Sequence, residues 1–173
     1  MKTPRLIIVS GLPCTGKSTL AEGIAKALKI PVFSVDPIES SILESGIERS
    51  FETGLAAYLV AQTLAAEQLK LGNSVIIDAV SPVQEARDMW QKLEKEHRAK
   101  KIVIECVLDE KKHKNRVKMR VRNIHGIDEV TWKDVEDRKK EYLEWQDERL
   151  IVDTSRSEDL NLDEAIMFIE SIK

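Results

Sequence analysis

The chain carries Gly11-Leu12-Pro13-Cys14-Thr15-Gly16-Lys17-Ser18 close to its start, and this stretch constrains the fold more than any other. It meets the pattern GxxxxGK[ST] at every fixed position. A short β-branched run, Arg5 to Ser10, precedes it. Apolar residues at helical spacing follow it: Leu20, Ile24, Ala25 and Leu28. Strand, glycine turn and helix in that order form a phosphate cradle. The glycines let backbone N–H groups converge on phosphate oxygens. The helix N-terminus adds a partial positive charge at the same place.

The remaining pattern alternates in the same way. Pro31 to Val35 predicts a second strand, closed by Asp36-Pro37. Phe51 to Leu71 predicts a long helix with few charges, ended by Gly72-Asn73. Ser74 to Ala79, Lys101 to Leu108 and Leu150 to Asp153 predict three more strands. Helices are expected from Pro82 to about Arg98, from about Glu110 to Asn123, from Thr131 to Glu148, and from Asn161 to Ile172. Strands alternating with helices argue for an α/β fold, a parallel sheet covered on both faces. A chain of 173 residues fits a single domain, 1–173. Its one compositional shift is the highly charged stretch 109–148, expected to be an excursion from the core.

Charge and cysteine content narrow the classes. The formal net charge is -3 and the pI is about 5.7. That balance suits neither a nucleic-acid coat nor a membrane-surface protein. The apolar run before Gly11 is too short for a signal peptide, and no run is long enough to span a bilayer. Cys14 and Cys106 give no disulfide framework, so a cytoplasmic location is the default expectation.

The chemistry expected of these residues is nucleotide chemistry. Gly11, Pro13, Cys14, Thr15, Gly16, Lys17, Ser18 and Thr19 would cradle the phosphates of a nucleoside triphosphate. Lys17 would reach the β- and γ-phosphates, and the Ser18 hydroxyl would ligate Mg²⁺. Ligands of open α/β sheets bind beyond the carboxyl ends of the strands. Asp36, Asp78 and Asp153 occupy such ends. Phosphoryl transfer to an alcohol needs a base near the hydroxyl and an acid near hydrated Mg²⁺. Asp36 is the candidate base and Asp78, closing a Walker B-like run, the candidate metal residue. Asp36 could instead cap the following helix. Asp153 reads as structural, or as part of a loop near the base. Arg116 and Arg120, four apart, share a helical face and suit a closing lid that neutralises phosphate charge. Gly126 could be the turn within that lid. A solvated basic face or a nucleic-acid site would use the same arginines, but nearby acids offset the patch. Arg87 could enter a substrate pocket or form a surface salt bridge. His97, His113 and His125 show no metal-ligand spacing and are assigned to the surface.

With these residues in place, the chain resembles the small P-loop kinases of the adenylate-kinase-like group. It is most similar to the AAA-type branch of predicted kinases, which includes chloramphenicol phosphotransferase and the kinase half of polynucleotide kinase. The resemblance rests on the loop at 11–18, Phe33-Ser34-Val35-Asp36, the run Gly72 to Ala79, Arg116 with Arg120, and Ile151-Val152-Asp153-Thr154. It implies a P-loop NTPase three-layer sandwich with five parallel strands in the order 2-3-1-4-5 and a helical lid. It implies ATP as the nucleotide, Asp36 as the base, Arg116 and Arg120 as lid arginines, and Thr154 to Arg156 near the adenine. Polynucleotide kinases carry an arginine for substrate phosphate where this chain has Glu39. The expected acceptor is therefore an uncharged or cationic small molecule with a free hydroxyl. A polynucleotide 5′-hydroxyl kinase, a nucleoside or nucleotide kinase, and an ATP-dependent switch without an acceptor are the competing readings.

Overall fold

A computed structural model describes residues 3–120 and 129–172. Its sheet has five parallel strands in the order β2-β3-β1-β4-β5. These are β1 (Arg5–Ser10), β2 (Val32–Ser34), β3 (Val75–Asp78), β4 (Lys100–Val107) and β5 (Arg149–Asp153). The helices are α1 (Lys17–Leu28), α2 (Val35–Glu44), α3 (Phe51–Lys70), α4 (Gln84–His97), α5 (Glu110–Met119), α6 (Trp132–Glu141) and α7 (Glu158–Ser171). Both the α/β layering and the strand order match expectation.

The sheet explains why β1 reads as a continuous apolar run. Leu6, Ile7, Ile8 and Val9 are all fully buried, because a central parallel strand has no solvent face. Leu6 and Ile8 join Ala57, Ala61, Trp90 and Val103 on one side. Ile7 and Val9 join Leu20, Ile24, Ala165 and Ile169 on the other. Helices α1 and α7 cover the second face. The long α3 packs on the first through a stripe of alanines, Ala57, Ala61 and Ala65. Its ends are well specified. Ser50 and Thr53 form a capping box at the start. At the far end Gly72 has φ 83. The Gly72 N–H donates to Leu69 O and the Asn73 N–H to Gln68 O, a complete Schellman motif.

Four helix boundaries differ from expectation. Helix α5 stops at Met119 rather than near Asn123, because Arg120 is extended. Helix α4 starts at Gln84 rather than Pro82 because Ser81 has φ 47 and Val83 is extended. Helix α7 starts earlier, at Glu158, where the Ser157 side chain caps it. Helix α6 stops at Glu141 instead of Glu148. Beyond it the chain turns down the sheet face, and Trp145 is only 2% exposed. Arg87 compels this turn. Its Nε donates to Ser81 O at 3.0 Å and its Nη1 to Glu144 O at 2.9 Å. Its Nη2 donates to Leu143 O. The guanidinium also lies 4.1 Å from the Trp145 ring centroid. Arg87 is thus a buried structural clamp, neither a pocket residue nor a surface ion pair. One planar fork satisfies three carbonyls, and two of them, on Leu143 and Glu144, are ones that a continuing α6 would have used.

Replacing Arg87 with Ala leaves those carbonyls without donors inside the core. The expected loss is about 3 kcal/mol, a fall in melting temperature of roughly 6–12 °C, read by thermal denaturation. Arg87→Lys should recover little, since one ammonium cannot span the three acceptors.

Candidate functional site

The loop between β1 and α1 sits at the carboxyl end of the sheet. Gly11 has φ 145, and a Cβ there would lie 2.5 Å from the Cys106 carbonyl oxygen of β4. Gly16 has φ 93, and a Cβ there would lie 3.1 Å from Arg116 Nη1. Both glycines are therefore required by conformation and by space. Thr15 Oγ1 donates to Leu12 O at 2.8 Å, closing the loop on itself. Lys17, the first residue of α1, is 3% exposed, and Ser18 follows it into the same cleft. Cys14 also has a left-handed backbone, φ 64, and is buried.

The carboxylates stand on one side of this loop. Asp78 ends β3, in register with Val9 of β1 and Ser34 of β2. It is 4% exposed, and its Oδ1 has no hydrogen-bond partner among the described residues. Asp36 lies two residues beyond β2, in the first turn of α2. The N-cap of that helix is Ser34, so Asp36 does not cap it. Asp36 is close enough to Tyr58 to help raise that phenol to about 12, after burial, which is the larger cause. The Tyr58 oxygen accepts from the Ser81 N–H at 3.0 Å.

The cations stand on the other side. Arg116 donates through Nη1 to Thr154 Oγ1 at 3.1 Å and through Nη2 to Thr154 O at 3.0 Å. The Thr154 hydroxyl in turn donates to Thr15 O at 2.5 Å. Arg120 Nη1 lies 2.9 Å from Cys14 Sγ. Helix α5 and its C-cap residue are thus tied to the phosphate loop and to the loop after β5. An apolar contact between Cys14, Val117 and Val135 joins α5 and α6 at the same point. Beside the phosphate loop, between α1, α5 and the loop after β5, runs a cleft of about 640 Å³, lined by Gly16, Lys17, Ser18, Thr19, Arg116, Arg120 and Thr154 to Asp159; Asp36 and Asp78 are not among its lining residues. Asp153 lies outside it. Its Oδ1 accepts from the Ser155 N–H at 2.8 Å, which shapes the turn. Gly126 and His125 fall outside the described residues.

His113 is not a surface residue. It is 3% exposed, its Nε2 lies 2.7 Å from Pro13 O, and its ring meets Trp132 edge-on. The signal was present in the sequence: His113, Arg116 and Val117 recur at helical spacing on α5, whereas Arg120, expected on the same helical face as Arg116, is the extended C-cap residue just beyond the helix. Burial holds this imidazole below its ordinary value of 6.5, although the Pro13 contact opposes the shift. The neutral ring donating to Pro13 O is the form that fits. Cys106, beneath the loop, is pushed by burial up to about 12 and stays an inert thiol.

Taken together, the fold and the loop define a P-loop NTPase of the kinase-like, three-layer type. A family model described as an AAA domain matches residues 6–143, and the chain belongs to that family. Among solved structures it superposes on a candidate kinase from Chloroflexus aurantiacus with a TM-score of 0.79 and 24% identity, over 96% of this chain and 99% of that one. An APS kinase of Mycobacterium tuberculosis, in complex with AMPPNP and APS, superposes with a TM-score of 0.72 and 18% identity, over 98% and 99%. A gluconokinase of Sinorhizobium meliloti gives 0.72 and 17%, over 99% and 94%. These likenesses establish the shared fold. In sequence, uncharacterized proteins of Mycobacterium tuberculosis and Mycobacterium bovis are 38% identical over 44% of this chain. The chain spans less than a fifth of those relatives' length, 18%. Among the described residues no helix is long and apolar enough to cross a membrane.

The sign of the His113 shift yields a test. The unfolded chain takes up a proton at this residue at higher pH than the folded one. The stability it confers is therefore full above about pH 6.5 and declines as pH falls towards the lower folded value. Melting temperatures measured between about pH 7.5 and 5.5 should fall more steeply for the native chain than for His113→Asn.

Proposed function

We propose that the chain is an ATP-dependent phosphotransferase that moves the γ-phosphoryl group of ATP, with Mg²⁺, to the hydroxyl of a small molecule. One arrangement carries this reading. Asp78 ends β3 and Asp36 lies in the first turn of α2 just beyond β2, while Arg116 of α5 and its C-cap residue Arg120 line the cleft with Lys17 and Ser18. An acceptor hydroxyl needs the first environment and a transferring phosphoryl group needs the second.

In this reading the loop amides and Lys17 hold the β- and γ-phosphates. The partnerless Oδ1 of buried Asp78 is a carboxylate whose partner would arrive with the ligand. Together with the Ser18 hydroxyl it offers hard oxygen donors, which fit Mg²⁺ directly or through water. When bound, Mg²⁺ would offset the charge on the phosphates. Asp36 orients the acceptor hydroxyl and takes its proton as its oxygen bonds to the γ-phosphorus and ADP departs. Arg116 and Arg120 meet the charge on the moving phosphoryl group. Helices α5 and α6 act as the lid that excludes water. Thr154 to Arg156 border the base end of the cleft.

Glu39 refines the acceptor. Its Oε1 accepts from Thr53 Oγ1 at 3.3 Å and lies 3.7 Å from Arg49 Nε. The carboxylate is already matched inside the protein, so it gives a cationic acceptor little to pair with. An uncharged alcohol is favoured. The named activities of the gluconokinase and sugar kinase neighbours agree with that choice as analogies only.

The test is transfer of labelled γ-phosphate from ATP to a panel of hydroxylated metabolites and antibiotics, with a 5′-hydroxyl oligonucleotide as a separate arm. Lys17→Ala should weaken ATP binding and lower transfer at least about 100-fold. Asp36→Ala should leave ATP binding intact and lower transfer by about 100- to 10,000-fold. Full activity in Asp36→Ala would sink the assignment of the base. Transfer only to the oligonucleotide would replace the acceptor class, and ATP hydrolysis unaffected by any acceptor would replace the kinase reading with a switch.

A further inference from the structure

Helix α3 faces solvent with residues that solvent does not require. From Thr53 to Ala66 it carries no charge. Its alanine stripe is turned to the core, yet Leu55, Leu59, Val60 and Leu64 are between 41% and 48% exposed. Among soluble proteins a contiguous exposed apolar strip of this kind marks an interaction surface. The pattern within the strip says what covers it. Along its centre lie Glu52, Ala56, Leu59, Thr63, Ala66 and Lys70. Their spacing alternates four and three, which keeps them in one seam along the helix, with Leu59 its one large apolar residue. Leu55 and Val60 flank the seam.

We propose that this seam docks a second copy of the chain, with the two α3 helices packed antiparallel about a two-fold axis. The seam is its own complement when reversed. It is symmetric about position 61, so Glu52 meets Lys70 of the second copy, Ala56 meets Ala66, and Leu59 meets Thr63. Lys70 follows Glu52 by about five whole turns, so both charges lie on one line roughly 27 Å apart. Each is solvent-exposed at its end of the strip, where Lys70 also lies 4.0 Å from Glu67 of its own helix. A C2 pairing forms the charge contact twice. The small alanines let the backbones approach. The Thr63 hydroxyl donates to Leu59 O at 2.9 Å, so it is satisfied within the helix and presents its methyl group. A parallel pairing would instead oppose Glu52 to Glu52 and Lys70 to Lys70. The seam covers roughly 300 Å² per copy, from helix length and diameter. A standard-size interface covers roughly 800 Å² per partner. The dimer is therefore weak and concentration-dependent.

Sedimentation velocity from about 1 µM to about 1 mM protein tests it. The native chain should pass from 19.7 kDa towards twice that mass. Leu59→Lys, at an exposed position, should stay monomeric with an unchanged melting temperature. Glu52→Lys and Lys70→Glu should each weaken association about tenfold, and the Glu52→Lys/Lys70→Glu double variant should restore it to within about threefold. Raising the salt should weaken the native dimer. A native chain that stays monomeric throughout overturns the proposal. So does a dimer indifferent to Leu59→Lys, or a double variant no better than its parents.

Discussion

The approach of the phosphate loop to β4 governs the rest of the site. Gly11 leaves β1 with φ 145, and the space a side chain would need is filled by the Cys106 carbonyl. That contact turns the chain sharply off the sheet, so that α1 begins over the strand ends and Lys17 points back into the cleft. The β1–β4 ladder holds the loop from below, pairing Ser10 with Glu105. Any residue larger than glycine would have to push two central strands apart. The loop's geometry is thus supported by the most buried part of the fold, not by the loop itself.

Around that fixed loop neighbouring elements bring charge of both signs. Asp78 ends β3 and Asp36 opens α2 just beyond β2. Arg116 of α5 is anchored by Thr154, which follows β5. The helices α5 and α6 then pack their few apolar residues, Val117 and Val135, onto Cys14 of the loop. The charged excursion is therefore rooted in the site even though most of its surface is polar.

Much of this was readable from the sequence, for physical reasons that can be named. The loop, the strand-end acids and the apolar strands are local signals: spacing, β-branching and glycine. The strand order came from family likeness, since pairing of parallel strands is non-local. What misled was contact chemistry. The stretch after Glu141 continues a helical pattern, but Arg87 offers its carbonyls better partners than a further turn would. His113 reads as a surface histidine because its neighbours are lysines, yet Pro13 O and Trp132 bury it. Glu39 reads as a free carboxylate because its partners, Arg49 and Thr53, are brought to it by the α2–α3 connection. In each case the deciding partner lay outside the element that carried the residue.

Arg116 shows how one side chain can both hold the site and serve it. A guanidinium has five N–H donors. Two of the guanidinium's nitrogens engage Thr154 among the described residues, one through the hydroxyl and one through the carbonyl. The Thr154 hydroxyl passes the constraint on to Thr15 O, and so to the loop whose amides face the cleft. The remaining donors suffice for phosphate oxygens without breaking these contacts. A cation so placed would need little reorganisation on binding, which is the condition under which electrostatic stabilisation is most effective. Arg120 is held differently, against the Cys14 sulfur, a weak acceptor that a phosphate oxygen would readily outcompete. The two arginines are therefore held unequally: Arg116 by two hydrogen bonds to Thr154, and Arg120 by a contact to a weak acceptor.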